Sequence, residues 1–569
     1  MDMFDIKDTA IWQLFEQGQN YHRLTNIYTD TDRNYRMYNG NQWEGAKLGG
    51  VEPVQKNFIR PIVRYKVGVI HDNLYAMQFT SQNFESMEFQ KEADRYCKML
   101  NRWSHRVWET DKMDYKGRRI TKDSAINDEG VIYVDFDEEL KIPVNEIVKK
   151  CDIYYGNEND DDIQNQPYIL IRKRMPVANA RIFAKSKGIS EEDSRFIIGD
   201  NDVFEESGES AKEEVDNQVT IVTKFYKLNG IVHYAIATRY VDIVEDTPMG
   251  IKLYPIAHMV WEEKEGSARG EGEVRYLIPK QIEVNKTEMR RVLTVKEQAF
   301  PQKIVDVTKI KNKNDLNRAG AIIETQGQTV DDVHKVIGTI QPAQMSPDVK
   351  QLQEDMIQVT RDLAGAGDIA TGQINPESAS GRAILAVQQA SQSPMTEQRE
   401  SYKNFIEDLA RIWLEYLTVA SVDGINLEEE VTGQNGETSV QLVNVPQTVL
   451  EQLKASVSIE VTPKGAFDKY AQEQSLENLL LGGFFSQQKI GELKLYVKTL
   501  DDDSVMPKAK LEQLIKNYDE EQLRIAEMNA QAQVMQQRAS QFLNEGPEAQ
   551  AQQIADAQVQ IQTQQMQSA

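Results

Sequence analysis

A run of helix signals between residues 279 and 421, interrupted by proline and glycine at a few fixed places, constrains this chain more than any other feature. Ser346-Pro347-Asp348 is a helix start: serine offers an N-cap oxygen, proline suits the first helical position, and the acid complements the helix dipole. Behind it Val349, Leu352, Met356, Val359 and Leu363 recur in steps of three and four, which predicts one apolar stripe. Gln351, Asp355, Gln358 and Asp362 form the polar, acidic other side. An earlier helix is predicted from Pro279 to about Gln298, with Pro301 marking its end. Between the two helices, Lys303–Val307 and Ala321–Glu324 read as short strands around a polar Lys/Asn loop. After Leu363 comes a glycine-rich loop, then a long helix from about Gly381 to Ser421 that Pro394 should kink. Beyond the kink, Tyr402, Phe405, Leu409, Trp413, Tyr416 and Ala420 predict a core face.

The rest of the chain is mixed. Residues 8–38 are predicted helical and aromatic-rich, 39–55 a loop, 56–75 a helix with Pro61 near its start, and 86–110 a further helix. Residues 130–175 and 217–262 alternate like strands around a short helical insert at 176–190. A hairpin-like strand region is expected at about 423–462, and helix again from 466. Within 508–543, Leu511, Tyr518, Ile525, Met528, Ala532, Met535, Ala539 and Phe542 share one seam. From Asn529 onward, 14 Gln and 8 Ala leave too little apolar content for a separate core. At 569 residues the chain is long enough for roughly three to four domains.

Much chemistry is excluded. The net charge of −24 argues against a protein that coats nucleic acid, although it leaves room for a local basic zone. Such a zone exists: eleven basic residues stand against six acids between Glu273 and Arg318. Cys97 and Cys151 cannot build a disulfide framework; we expect buried, reduced thiols and cytosolic synthesis. The first ten residues lack the basic and apolar regions of a signal peptide. The densest apolar stretch, 479–485, is far short of the about 18 residues of a membrane span. No zinc spacing, CxxC or nucleophile elbow occurs. Gly40–Leu48 fails as a phosphate loop, because Ala46 separates Gly45 from Lys47 and Leu48 has no hydroxyl. Gly270-Glu-Gly272 lacks a third fingerprint glycine, and Asn157–Asp162 lacks the glycine and closing Glu of a calcium loop, so a solvated hairpin tip is expected there. No catalytic residue, metal ligand or cofactor is assigned.

Four segments, in order, carry a resemblance: Asn34-Tyr-Arg-Met-Tyr-Asn-Gly-Asn-Gln-Trp43, Asn57-Phe-Ile-Arg-Pro-Ile-Val63, Gly270 to Asn285, and Ser380-Gly-Arg-Ala-Ile384. With the order helix, strand-bearing tip, helix, glycine-rich loop, long kinked helix, the chain resembles the portal proteins of tailed bacteriophages. The resemblance implies a mainly helical α+β portal fold, assembled as a homododecameric ring around a central channel for double-stranded DNA. It implies a wing at 1–270 and 381–465, stem helices at 271–299 and 346–363, and a clip at 300–345. A tunnel loop at 364–380, a crown at 466–547 and a Gln-rich C-terminal segment at 548–569, either a helix or barrel or a disordered tail, complete it.

By this resemblance, Lys286, Arg290, Gln351, Asp355, Gln358 and Asp362 would face DNA in the stem. Gly365, Gly367, Asp368, Thr371, Gly372, Gln373 and Asn375 would form the tunnel loop. Lys303, Lys309, Lys311, Lys313 and Arg318 would meet partners at the clip. The implied partners are the large terminase subunit, head-completion and tail adaptor proteins, and major capsid and scaffolding proteins. The implied place is the portal vertex of the virion, after synthesis in the host cytoplasm. An acidic wall would repel phosphate and a few basic rings would centre it, so that DNA slides without sticking. The work of packaging would come from a separate ATPase. Another oligomeric virion connector, without a gating role, is the alternative; a carboxylate-metal nuclease is a third.

Overall fold

The computed structural model describes residues 10–48, 51–71, 73–81, 87–137, 139–200, 217–299, 303–316, 322–326, 337–340, 344–367, 395–422, 424–432, 438–465, 524–525 and 528–534. The chain divides into two units, 1–463 and 464–569. In the second, residues 464–465 end a strand, and the other described residues, 524–525 and 528–534, are helical and exposed.

In chain order the first unit contains α1 (Ile11–Leu24), α2 (Ile27–Asn39), α3 (Ile59–Ile70), β1 (Asn73–Ser81), α4 (Met87–Thr110) and α5 (Met113–Asn127). Strands β2 (Glu129–Asp137), β3 (Ile142–Val148), β4 (Ile153–Tyr155) and β5 (Tyr168–Pro176) follow, then α6 (Val177–Ser186) and α7 (Glu191–Ser194). Next come β6 (Gln218–Leu228), β7 (Ile231–Ala237), β8 (Asp242–Pro248) and β9 (Ile256–Val260). Then α8 (Glu273–Ala299), β10 (Lys303–Val305), β11 (Ile337–Thr339), α9 (Asp348–Leu363) and α10 (Thr396–Ala420). The series closes with β12 (Ile425–Thr432), β13 (Thr438–Val445), α11 (Gln447–Ser456) and β14 (Val457–Gly465), whose last two residues are counted in the second unit.

The fold is α+β. A three-stranded sheet, β3-β2-β9, and a five-stranded sheet, β4-β5-β6-β7-β8, stand beside three two-stranded sheets, β1-β14, β10-β11 and β12-β13. The register is antiparallel where β2 meets β9, with Val131 opposite His258. Helix α10 packs on β9 with the face its sequence predicts: Tyr402, Phe405, Leu409, Trp413 and Tyr416 are all buried. Two polar tips of that face are satisfied. Trp413 Nε1 donates to Asn145 Oδ1 at 3.0 Å, and Tyr416 Oη donates to the Val134 carbonyl at 3.0 Å. Both cysteines are buried and in no disulfide, and burial pushes Cys97 up to about 11.

Several expectations need correction. The first helix breaks at Asn26, whose φ of 60 is a left-handed conformation that asparagine tolerates. The helix expected to reach residue 75 stops at Ile70, and β1 takes over. Helix α5 has no apolar stripe to announce it: its packed side is Met113, Gly117, Ile120, Thr121 and Ser124, small and polar as often as apolar. Pro279 lies inside α8 rather than at its start. The carbonyl it leaves without a helical donor belongs to Arg275, on an exposed side where water can bond it. The strand paired with β10 is β11, not Ala321–Glu324. That segment pairs instead with the chain around Ile310: Lys311 N donates to the Glu324 carbonyl at 3.1 Å and Gln326 N to the Lys309 carbonyl at 2.9 Å, and the Asn312 side chain extends the pairing, its Oδ1 accepting from Glu324 N at 2.9 Å and its Nδ2 donating to the Ile322 carbonyl at 2.6 Å. The part of the expected long helix before Pro394 lies outside the described residues, as do five of the eight seam residues within 508–543; the other three, Ile525, Met528 and Ala532, are helical and exposed.

Candidate functional site

Of the three described segments that carry the family resemblance, 34–43 and 57–63 are near neighbours in sequence and 270–285 is more than 200 positions away, and all three meet at the root of α8. Gln281 is buried on α8; its Oε1 accepts from Phe58 N at 3.0 Å and its Nε2 donates to the Lys56 carbonyl at 2.9 Å. One turn on, Asn285 accepts from Lys56 N at 3.1 Å and donates to Gln42 Oε1 at 2.5 Å. Asn57 and Gln42 in turn hold the end of α2, donating to the Tyr38 and Met37 carbonyls. Every polar atom in this buried seam that lost a partner would cost about 1–3 kcal/mol, so the pattern fixes how α8 leaves the core.

The glycines before α8 are required by close approach. A Cβ on Gly270 would strike the Glu262 carbonyl and the Val260 side chain, and one on Gly272 would stand 2.8 Å from Asp128 N. Instead Gly272 N donates to Asp128 Oδ1 at 2.7 Å. Glu273, the first residue of α8, is buried and pairs with Lys66 Nζ at 2.6 Å.

Helix α8 leaves the core and α9 returns to it. Val274, Leu277 and Val284 are buried, whereas Val295 to Ala299 are exposed. Ala364 and Ala366, after α9, are buried in the same core. The two helices meet through a closed polar clamp. Gln353, with 0% exposure, donates to Glu288 Oε2 at 2.7 Å and accepts from Arg291 at 2.6 Å. Arg291 also donates to Glu288 at 3.0 Å. The apolar stripe of α9 is therefore not its main contact with α8. Met356 and Ile357 pack on the core, but Leu352, Val359 and Leu363 are 57%, 54% and 84% exposed.

Of the residues expected to face DNA, Gln351, Asp355, Gln358, Asp362 and Arg290 are exposed and Lys286 partly so. Lys286 pairs with Glu283 at 3.0 Å, which lowers the Glu283 carboxyl. Gly365 turns the chain out of α9 with φ +69. Gly367 is described, but Asp368, Thr371, Gly372, Gln373 and Asn375 lie outside the described residues. In the tip, Lys303 and Lys311 are exposed and Lys309 partly so; Arg318 and the Lys313 side chain lie outside the description. Asp306 accepts from the backbone and hydroxyl of Thr308 and pairs with Lys309 at 3.6 Å.

Sequence reasoning missed a buried ion cluster just before Gly270. Arg269 donates to Glu129, to Glu158 at 2.9 Å and 3.0 Å, to the Ile153 carbonyl at 3.0 Å, and to His22 Nε2 at 3.0 Å. Its guanidinium lies 4.7 Å from the Tyr155 ring centre. Burial and the Arg269 charge push His22 down to about 2, so it stays neutral and accepts. Burial would raise Glu129, yet Arg269 and His258 hold it down at about 2. Glu158 comes from the acidic loop expected to be a solvated tip; Asp161 is exposed as expected, but Glu158 turns inward. The only sequence signal was one arginine amid glycines. Among the described residues, no group of three or more His, Cys, Asp or Glu is placed to hold a metal, and no helix is long and apolar enough to cross a membrane.

No curated protein matches the chain. The family model described as phage P22-like portal protein matches residues 14–569, nearly the full length, and the chain belongs to that family of portal proteins.

Proposed function

We propose that α8 and α9 are the stem of the portal ring and that Gln351, Asp355, Gln358, Asp362, Lys286 and Arg290 stand along its channel. The role itself follows from the family: this is a bacteriophage portal protein, a virion component that serves genome packaging. Family membership also implies an oligomeric ring at the capsid vertex with DNA as its cargo. Twelve copies, synthesis in the host cytoplasm and a structural, non-catalytic role are our finer reading. So is the division into wing, stem, clip, tunnel loop and crown at the boundaries given above.

The observation that carries this reading is the helix pair that leaves the core and returns, joined by the Gln353 clamp, with a polar and acidic outer side on α9. Acids there repel phosphate, and the basic residues of α8 supply weak, salt-sensitive attraction. Gly365, Gly367, Asp368, Thr371, Gly372, Gln373 and Asn375 would approach DNA where the stem opens inward. At the far end, Lys303, Lys309, Lys311, Lys313 and Arg318 would form an electrostatic dock for the large terminase subunit, and later for head-completion and tail adaptor proteins. Capsid and scaffolding proteins would contact the wing.

The test is to place lysine in the channel through Gln351→Lys with Gln358→Lys. Rings should still assemble, while DNA packaging in vitro slows and becomes more sensitive to salt. Normal packaging by assembled variant rings would show that this side of α9 does not face DNA.

A further inference from the structure

The exposed stripe on α9 needs a covering. At about 100° per residue, Leu352, Val359 and Leu363 share one side of the helix, roughly a quarter turn from Gln353. Gln353, Met356 and Ile357 already serve the contacts inside the protomer, so the stripe is left over. Its steps are seven and four residues. On α8, Ile282, Met289 and Leu293 repeat the same steps, on the side turned away from the Val284, Glu288 and Arg291 contacts with Gln353. Ile282 is exposed, and Met289 and Leu293 are partly exposed. Seven-residue apolar spacing is the pattern of helices that pack along a seam.

The charges beside the two stripes are opposite. Asp348, Asp355 and Asp362, also seven apart, flank the stripe on α9, whereas Lys286 and Arg290 flank the one on α8. Packing α9 on another α9 would bring two aspartate rows together. Packing α9 on the α8 of a second copy brings aspartates against cations. Because the two patches differ, the contact is heterologous, the kind that closes into rings.

We infer that the Leu352–Val359–Leu363 edge of α9 seats on the Ile282–Met289–Leu293 edge of α8 in the neighbouring copy. This inference rests on the portal reading, and it specifies which surfaces meet. The level of contact follows from symmetry. Rotation about an axis along the helices preserves height, and within a protomer Gln353 stands level with Glu288. Leu352 of one copy therefore meets Met289 of the next, Val359 meets Ile282, and Asp355 meets Lys286. Acid from one copy and base from the next then alternate around the channel wall.

The test uses the full chain with Leu352→Cys and Met289→Cys together, oxidised and run on a non-reducing gel. Cys97 and Cys151 are the only native cysteines and are both buried, so background bonding is low. The expected result is a ladder of covalent multimers ending at the ring, with none from either single variant. A second pair, Val359→Cys with Ile282→Cys, guards against failed assembly of the first. Rings that form with either pair but yield no ladder overturn the inference. A wild-type chain that forms no ring removes the portal reading itself.

Discussion

Replacing Arg269 with methionine should be among the most damaging single changes available in the described core, and its cost should depend on pH. The methionine keeps most of the volume but leaves Glu129, with 0% side-chain exposure, without its main counter-charge. In the native protein that carboxyl is held at about 2 against an ordinary 4.5, a preference for the charged form worth roughly 3 kcal/mol. Removing one partner of a buried pair costs about 3–5 kcal/mol, so both routes predict a loss of that size at pH 7. The sign with pH is also set. The native Glu129 contribution is present above its ordinary value and is lost as pH falls from about 4.5 towards 2. In Arg269→Met the largest influence left on Glu129 is burial, which raises it against the smaller pull of His258 and Lys150, so the variant is expected to lose stability as pH rises above the ordinary carboxylate range. The gap between variant and native protein should be widest at pH 7–8 and narrow towards pH 5. Guanidinium unfolding midpoints across that range measure it. A loss under about 1 kcal/mol, or a gap that does not change with pH, would refute the claim that Arg269 neutralises this cluster.

Two further outcomes are expected. Gly117→Ala on α5 should destabilise by about 1–3 kcal/mol, despite the better helix former, because its Cβ would overlap the hydroxyl of the buried Tyr402; adding Tyr402→Phe should recover part of that loss in thermal melts. Gln353→Leu should cost about 1–3 kcal/mol by stripping partners from Glu288 and Arg291, and Gln353→Glu should cost more, since it sets a second carboxylate against Glu288; equal melting temperatures for the two variants would contradict the clamp.

What the sequence made legible follows the physics of each element. Helix α10 was readable because its buried face is aromatic and regularly spaced, and the end of α8 because Pro301 cannot continue it. The stripe on α9 was readable as a stripe, but spacing alone does not say what covers it; the residue that meets α8 is a glutamine, which no hydrophobic pattern reveals. Helix α5 was invisible because Gly117, Thr121 and Ser124 pack as small polar residues. No quoted motif segment is specific alone and their order carries the resemblance, whereas the convergence of three of them on Gln281 and Asn285 is a tertiary fact. Arg269 and Glu129 are 140 positions apart, and their pairing needs the folded chain.

The central claim is that this chain is a portal subunit whose α8 and α9 surround the DNA path. Electron microscopy of the purified protein, with its assembled mass, tests it most directly. The expected image is a closed ring with an axial channel wide enough for duplex DNA, lined by these two helices. A stable monomer, or a ring carrying α8 and α9 on its outer surface, would contradict it.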